Sequence, residues 1–251
     1  MKRFLPSFLF LPIFLVYCMS ASCEEVARKN YACKDLNGNN RWQAEIKIIR
    51  KTGNLYSMVE KAQGLYSGFS DPISWIAEME YENTDDNIRP LSLDKRVFDN
   101  YGNLIRRETQ RFDLASNTGI CTHEDFARNI RRTRHFTFKK DVVNRLSLTL
   151  YIQKFLQKGK AVGDAQLVSE EPNSYDVKLT LEKKEAVEIN GLKKSLYRLC
   201  IDPQLGLISF VKVFFVKTYT WHFADSGFEW YRYRGPEGGV LSEKVEVTLE
   251  N

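Results

Sequence analysis

Proline, glycine and long apolar runs are all scarce in this chain of 251 residues. It contains only 7 prolines and 14 glycines, which excludes a collagen-like chain or low-complexity filler. Hydrophobic residues make up 43% and charged residues 27%, proportions that exclude a disordered tail and a polytopic membrane protein. The formal net charge of +5 is too small to require a nucleic-acid partner. The composition is that of a folded domain, and the length suits one large domain or two small ones.

The sequence also lacks the short motifs of common catalytic and cofactor sites. It has no GxSxG, P-loop, GxGxxG or HExxH pattern, and no two cysteines have CxxC or zinc-finger spacing. The three histidines, His123, His135 and His222, lie far apart in the sequence. We therefore predict no enzyme, no catalytic residue, no cofactor and no metal site. A hydrolase assembled from distant cysteine, histidine and carboxylate side chains stays open as a third hypothesis.

The N-terminal segment has the three-part layout of a secretory signal peptide. Lys2 and Arg3 are basic, residues 4–19 carry no charge and 13 of these 16 are apolar, and residues 20–22 are small. The apolar run is shorter than the roughly 20 residues that span a bilayer. We predict a signal peptide over residues 1–23 and an exported protein, with an uncleaved N-terminal anchor as the alternative.

Cys23 follows Ser20-Ala21-Ser22, a context similar to the lipobox of bacterial lipoproteins. Lipidation of Cys23 and ordinary cleavage near this residue are the two alternatives, and two acyl chains would give stable membrane attachment. Export makes a disulfide feasible among Cys33, Cys121 and Cys200. One bridge with one buried thiol, or three buried thiols, both fit this odd count.

Residues 24–41 are polar, and the rest of the chain has the period-two alternation of half-buried strands. We predict a polar N-terminal segment over residues 24–41, a first strand at residues 42–50, a loop over residues 115–130, and a hairpin turn at Asn190-Gly191. The run Leu207 to Lys217 is apolar on both faces and predicts a central strand. The clearest alternating face consists of Ile73, Trp75, Ala77, Met79 and Tyr81.

One segment has helical rather than extended spacing. Val142, Leu146, Leu150 and other apolar residues recur at intervals of three or four, which predicts a helix over residues 141–157. The predicted fold is mainly β: a single antiparallel domain over residues 42–251 of about ten strands, with one large curved sheet, a half-closed barrel, and one central helix against its concave side.

Three features accompany this layout: the stretch Gly64 to Tyr81, the motif Asp141-Val-Val-Asn-Arg-Leu-Ser-Leu148, and the aromatic segment Trp221 to Tyr233. With them, the layout resembles the bacterial periplasmic lipoprotein-carrier superfamily, LolA-like and LolB-like, and related periplasmic families. The resemblance covers roughly residues 40–250. It implies an antiparallel sheet folded into a half-closed barrel whose apolar concavity holds acyl chains.

We expect an exported envelope protein of the bacterial periplasm, anchored to the outer membrane if Cys23 is lipidated, that binds an apolar or amphipathic, lipid-like ligand. The alternatives are a structural or interaction module at the outer membrane and, third, the hydrolase. An anionic membrane surface is a further candidate partner for the basic residues between 128 and 145, whereas export argues against nucleic acid. The residues predicted to line the cavity or its adjoining core are Trp75, Met79, Tyr81, Leu146, Leu150, Phe210 and Phe214.

Overall fold

The N-terminal half of the chain forms eight consecutive strands. A computed structural model of the protein describes residues 23–169, 173–204, 217–225, 227–238 and 242–250. The strands are β1 (Glu24–Asp35), β2 (Asn40–Arg50), β3 (Leu55–Gly64), β4 (Ile73–Asn83), β5 (Ile88–Phe98), β6 (Leu104–Asp113), β7 (Thr118–Asp125) and β8 (Ile130–Thr137).

The second half contains a helix and seven more strands among the described residues. These elements are β9 (Val142–Asn144), α1 (Arg145–Gln157), β10 (Val162–Val168), β11 (Ser174–Ile189), β12 (Leu192–Gln204), β13 (Thr218–Phe223), β14 (Trp230–Pro236) and β15 (Lys244–Glu250). The side chain of Asn144 accepts a hydrogen bond from the Ser147 N–H, and the Ser147 hydroxyl accepts one from the Asn144 N–H. This capping box fixes where α1 begins.

All fifteen described strands belong to one open sheet. Its order is β8-β7-β6-β5-β4-β3-β2-β1-β15-β14-β13-β12-β11-β10-β9. Every pairing is antiparallel except that of β9 with β10. β1 and β15 are neighbours, so the two halves of the chain meet in the middle of the sheet. The predicted fold class, a mainly β protein with one large curved sheet and a single helix, is confirmed.

Short turns of the predicted kind connect several strands. Asn190 and Gly191 have φ angles of 52° and 74° and join β11 to β12. Positive φ at both central positions is what a type I′ hairpin turn needs, and Asn-Gly adopts it readily. Between β5 and β6, the Asp99 carboxylate accepts hydrogen bonds from the backbone of Tyr101 and Asn103. The predicted turn at Asn190-Gly191 is confirmed.

The helix packs on the concave side of the sheet and touches both halves. Leu146 joins a cluster with Met58 and Met79 from the N-terminal half. Ile152 and Phe155 pack instead with β10, β11 and β12 of the C-terminal half. All five apolar residues of the predicted β4 face are buried, as expected: Ile73, Trp75, Ala77, Met79 and Tyr81.

Three predicted boundaries are wrong. The first strand begins at Glu24, not at residue 42. β1 buries only Tyr31 and Cys33, so its sequence has too little apolar alternation to predict a strand. Residues 118–125 form β7 instead of a loop. The helix starts at Arg145, since Val142–Asn144 pair with β10 as a short strand. The predicted strand at 207–217 lies almost entirely outside the described residues.

Candidate ligand cavity

A partly open space lies between α1 and the central strands of the sheet. It holds about 200 Å³ of water-accessible volume. Residues from β1, β2, β3, α1 and β10–β15 line it, and most are apolar. The aliphatic part of the lining includes Ala44, Ile46, Met58, Leu146, Leu148, Ile152, Val177, Ile201, Val245 and Val247. A space of this composition favours an apolar occupant over water. We call it the cavity.

Aromatic rings form one wall of the cavity. Tyr31 and Trp230 stack with ring centroids 4.6 Å apart. Behind them, Trp75 packs edge-on against Trp42 at 5.4 Å and against Tyr66 at 5.1 Å. Burial raises the pKa of Tyr31, as expected for a phenol in apolar surroundings. These ring contacts stabilise the wall.

The ion pair between Arg145 and Glu60 lies at the cavity. Arg145, the first residue of α1, donates to Glu60 of β3, and the Trp75 indole N–H donates to the same carboxylate. Burial of Glu60 opposes its charged form, but Arg145 outweighs this effect and lowers the pKa of Glu60. The pair therefore anchors the start of the helix to the sheet beside the cavity.

A second buried carboxylate, Glu237, closes another side. One oxygen accepts the indole N–H of Trp42 at 2.6 Å, and the other accepts from Arg41 at 3.1 Å and from the backbone N–H of Ser67 at 2.5 Å. The side chain of Glu237 is 1% exposed. This carboxylate holds residues that follow β14 against β2 and against the segment after β3.

The register of the strands places charged residues in one row across the concave face. Glu60 lies opposite Ala77, Ala77 opposite Lys95, and Lys95 opposite Glu108. The row continues from Glu108 to His123 and from His123 to Arg132. We call Glu60, Lys95, Glu108, His123 and Arg132 the charged row. It leads from the cavity toward the edge strand β8.

A larger and more polar space adjoins the cavity along this row. Its water-accessible volume is about 780 Å³, and its lining includes Lys95, Glu108, His123 and Arg132 of the charged row. Arg106, Asp125 and Arg128 also line it. We call this space the polar groove. Tyr66, Ser169, Tyr175 and Gly238 line both the polar groove and the cavity, so the two spaces share a boundary.

The predicted site residues fall in different places. Leu146 lines the cavity, and Leu150 lines a smaller recess of about 70 Å³. Trp75 lies behind the aromatic wall and lines the polar groove. Met79 and Tyr81 lie in the solid apolar cluster beside Leu146 and do not line the cavity. Phe210 and Phe214 lie outside the described residues.

The described cysteines, Cys23, Cys33, Cys121 and Cys200, form no disulfide with one another. The last three are buried, which matches the alternative of three buried thiols. Burial raises the pKa of Cys121 to about 12, so its thiolate form is disfavoured at neutral pH. Cys23, the predicted lipidation residue, is exposed.

The other polar candidates lie mainly on exposed surfaces. Six residues of the predicted basic stretch are exposed, namely Arg128, Arg131, Arg132, Arg134, Lys139 and Lys140, whereas Arg145 is half-buried and pairs with Glu60. Glu78 and Glu80 form ion pairs with Arg96 and Lys51 on the outer face of the sheet. Within the described ranges, no group of three or more histidine, cysteine or acidic residues could hold a metal ion.

Sequence reasoning missed the polar residues at the cavity. Glu60 stands between Met58 and Ala62, and Lys95 between Leu93 and Val97, each at the inward positions of its strand. A charged residue in phase with buried apolar neighbours is a signal that period-two analysis can detect. Glu237 gives no such signal, because its partners come from residues about 200 positions away.

Comparison with protein-family models, with curated proteins and with solved structures finds no match to this chain. Among the described residues, no helix is long and apolar enough to cross a membrane.

Proposed function

We propose that this protein binds an apolar or amphipathic, lipid-like ligand non-covalently in the cavity beneath α1. The cavity itself carries the proposal: a space with an aliphatic and aromatic lining, covered by α1 on the concave face of an open sheet. Binding would remove apolar ligand surface from water, and each buried methylene contributes about 0.8 kcal/mol before the cost of association. The resemblance to the LolA-like and LolB-like carriers agrees with this proposal.

Export to the bacterial envelope is part of the same proposal. It rests on the basic, apolar and small-residue order of residues 1–23 and on the position of Cys23. Intact-mass measurement of membrane and soluble fractions tests it directly. A mature chain that begins at or near Cys23 supports export, and a mass increase of a diacylglyceryl group on Cys23 supports anchoring. An unprocessed chain in the cytosol contradicts both.

The binding test uses a neutral single-chain probe. We expect dodecanol, below its solubility limit, to displace a fluorescent apolar dye from the purified mature chain with a stoichiometry of about one. Native mass spectrometry should show the same complex. Absence of saturable binding by the wild-type chain contradicts the proposal.

A matched pair of variants locates the binding site. Ala44→Leu adds bulk directly to the cavity lining, whereas Ala32→Leu adds the same bulk on the opposite face of the neighbouring strand β1. We expect Ala44→Leu to weaken dodecanol binding by roughly tenfold or more, because the larger side chain fills space that the dodecyl group would occupy. Ala32→Leu should bind like the wild type. Circular dichroism confirms that both variants fold, and equal affinities for the two variants would place the ligand elsewhere.

A second candidate function, an interaction module at an anionic membrane surface, is favoured by the edge strand β8. Arg131, Arg132 and Arg134 are exposed on this strand. Cations near an anionic leaflet contribute about 1 kcal/mol each. Co-sedimentation with vesicles of anionic lipid, compared with vesicles of zwitterionic lipid, tests this candidate. Arg131→Gln and Arg132→Gln should weaken such attachment to a similar extent.

A further inference from the structure

The polar groove carries an excess of positive charge. Its lining contains four permanently cationic side chains, Lys95, Arg106, Arg128 and Arg132, and two carboxylates. One of these carboxylates, Asp125, faces two arginines, with 3.7 Å to Arg106 and 3.8 Å to Arg128. The other, Glu108, accepts a hydrogen bond from Gln110. The groove therefore has a net charge of about +2 with His123 neutral, and an anion inside it would be attracted.

Two of these cations mark the ends of a path across the groove. Lys95 is 5% exposed, and its ammonium lies 4.8 Å from the ring centre of Tyr66 and 5.6 Å from that of Trp75. Tyr66 lines both spaces, so Lys95 stands at the boundary with the cavity. Arg132 lies at the far end of the charged row on the edge strand, is exposed, and its side chain forms no ion pair within the described ranges.

We infer that the polar groove binds the anionic headgroup of an amphiphile whose apolar chain occupies the cavity. This inference rests on the proposed function. The headgroup is a phosphate or a carboxylate, since the guanidinium groups of Arg106 and Arg132 match the planar or tetrahedral oxygens of either group. The shared boundary between the two spaces allows one molecule to occupy both. The protein is thereby selective for anionic over neutral or cationic amphiphiles.

The experiment compares two probes with the same chain. Dodecyl phosphate and dodecanol are titrated at low ionic strength, where exposed charges are least screened. We expect dodecyl phosphate to bind the wild-type chain roughly tenfold more tightly than dodecanol. Arg132→Gln should remove most of that advantage and leave dodecanol binding unchanged.

Arg131 provides the matched control. It precedes Arg132 on the same strand, points to the opposite face, and pairs with Glu124 at 3.6 Å. Arg131→Gln removes the same charge from β8 and should leave the affinity for dodecyl phosphate unchanged. If Arg132→Gln does not fold, Arg106→Gln serves in its place, because Asp125 then keeps Arg128 as a partner.

The outcomes separate the two proposals. Equal binding of both probes by the wild type overturns the headgroup inference and leaves the cavity proposal standing. Equal losses in Arg131→Gln and Arg132→Gln also overturn it, because surface charge alone would then explain the preference. If inorganic phosphate binds as tightly as dodecyl phosphate, the ligand is free phosphate, and the inference that it is an amphiphile is overturned. If neither dodecyl probe binds, the proposed function fails as well.

Discussion

At the scale of single residues, His222 on β13 is fully buried and neutral. Its Nδ1 lies 2.9 Å from the carbonyl oxygen of Phe228, which can only accept, so Nδ1 carries the proton. Nε2 lies 3.3 Å from the hydroxyl of Thr220, which also lies 3.3 Å from the carbonyl oxygen of Arg232. Burial lowers the pKa of His222 to about 4, against the opposing effect of the Phe228 carbonyl. The imidazole therefore stays uncharged at neutral pH.

Because His222 is buried in its neutral form, we expect the protein to lose stability on mild acidification. Between pH 6.5 and pH 4, the unfolded chain takes up a proton on His222 while the folded chain does not, so the free energy of unfolding decreases as the pH falls. The lowered pKa of His222 contributes about 3 kcal/mol to the free energy of unfolding at neutral pH, and about 2 kcal/mol of this is lost by pH 5. Urea denaturation at pH 7.5 and pH 5 measures the difference.

Two glutamine variants isolate the histidine. His222→Gln removes the titrating group, so its stability difference between the two pH values should be smaller than that of the wild type by about 2 kcal/mol. His135→Gln, on the exposed strand β8, should keep the wild-type difference. The same pH dependence in His222→Gln and the wild type would show that other groups cause the loss.

At the scale of elements, Glu237 joins the segment that follows β14 to β2 and to the segment that follows β3. Its carboxylate bonds Arg41 and Trp42 on β2 and the backbone of Ser67 in the segment after β3. The Tyr66 hydroxyl also donates to the Glu237 carbonyl, at 3.4 Å. Since Tyr66 and Glu237 both line the cavity, this group of bonds fixes one of its walls.

Replacement of Glu237 should therefore lower the free energy of unfolding much more than replacement of Glu243, the exposed partner of Arg41. Glu237→Gln leaves the half-buried Arg41 with the exposed Glu243 as its remaining carboxylate and puts an amide N–H toward other donors, so we expect a loss of about 3 kcal/mol. Glu243→Gln removes the other carboxylate of Arg41, which is 66% exposed, and should cost under about 1 kcal/mol. Urea denaturation of both variants checks this. Equal losses would contradict the role assigned to Glu237.

The sequence predicts an element well where one face is apolar and the other polar. β4 shows this pattern over its whole length, and its buried residues were all predicted. β7 has Gly119, Cys121 and Asp125 at its buried positions, so it offers no apolar alternation to detect. Val142 and Val143 fit helical spacing equally well, and only their pairing with β10 makes them a strand.

The candidate site depends on contacts between side chains of different strands, which the sequence alone does not show. Leu146 was predicted at the cavity from its position on the helix, and it lies there. Met79 and Tyr81 were predicted to line the cavity or its adjoining core, and they lie in the core cluster beside Leu146. The charged row exists only because five strand registers align residues from Glu60 to Arg132. Inward or outward direction was predictable, but not which inward side chains meet.

At the scale of the whole molecule, the order of the sheet makes β1 the connection between two halves. Strands β2–β8 lie on one side of it and β15–β9 on the other. β1 pairs along most of its length with β2, and Asn30–Asp35 pair with β15. Its buried residues Tyr31 and Cys33 belong to a cluster with Trp42, Trp75, Val245 and Val247 from both halves.

Removal of β1 should therefore destabilise the entire fold, although its sequence is polar. A chain that begins at Asn37 exposes the edges of β2 and β15 and loses two buried side chains from the shared cluster. We expect a chain that begins at Glu24 to unfold cooperatively in urea, and the shorter chain to aggregate or to lose cooperative unfolding.

A synthetic peptide of residues 24–36 distinguishes a missing strand from a chain that cannot fold for another reason. The peptide carries all the backbone groups of β1 that pair with β2, and those of Asn30–Asp35 that pair with β15. Added to the chain that begins at Asn37, it should restore cooperative unfolding, because strand addition recreates the same hydrogen bonds. A peptide with Tyr31→Ser and Cys33→Ser keeps those backbone bonds but lacks the buried side chains, so it should restore much less. A shorter chain as stable as the longer one would show that the two halves hold together without β1.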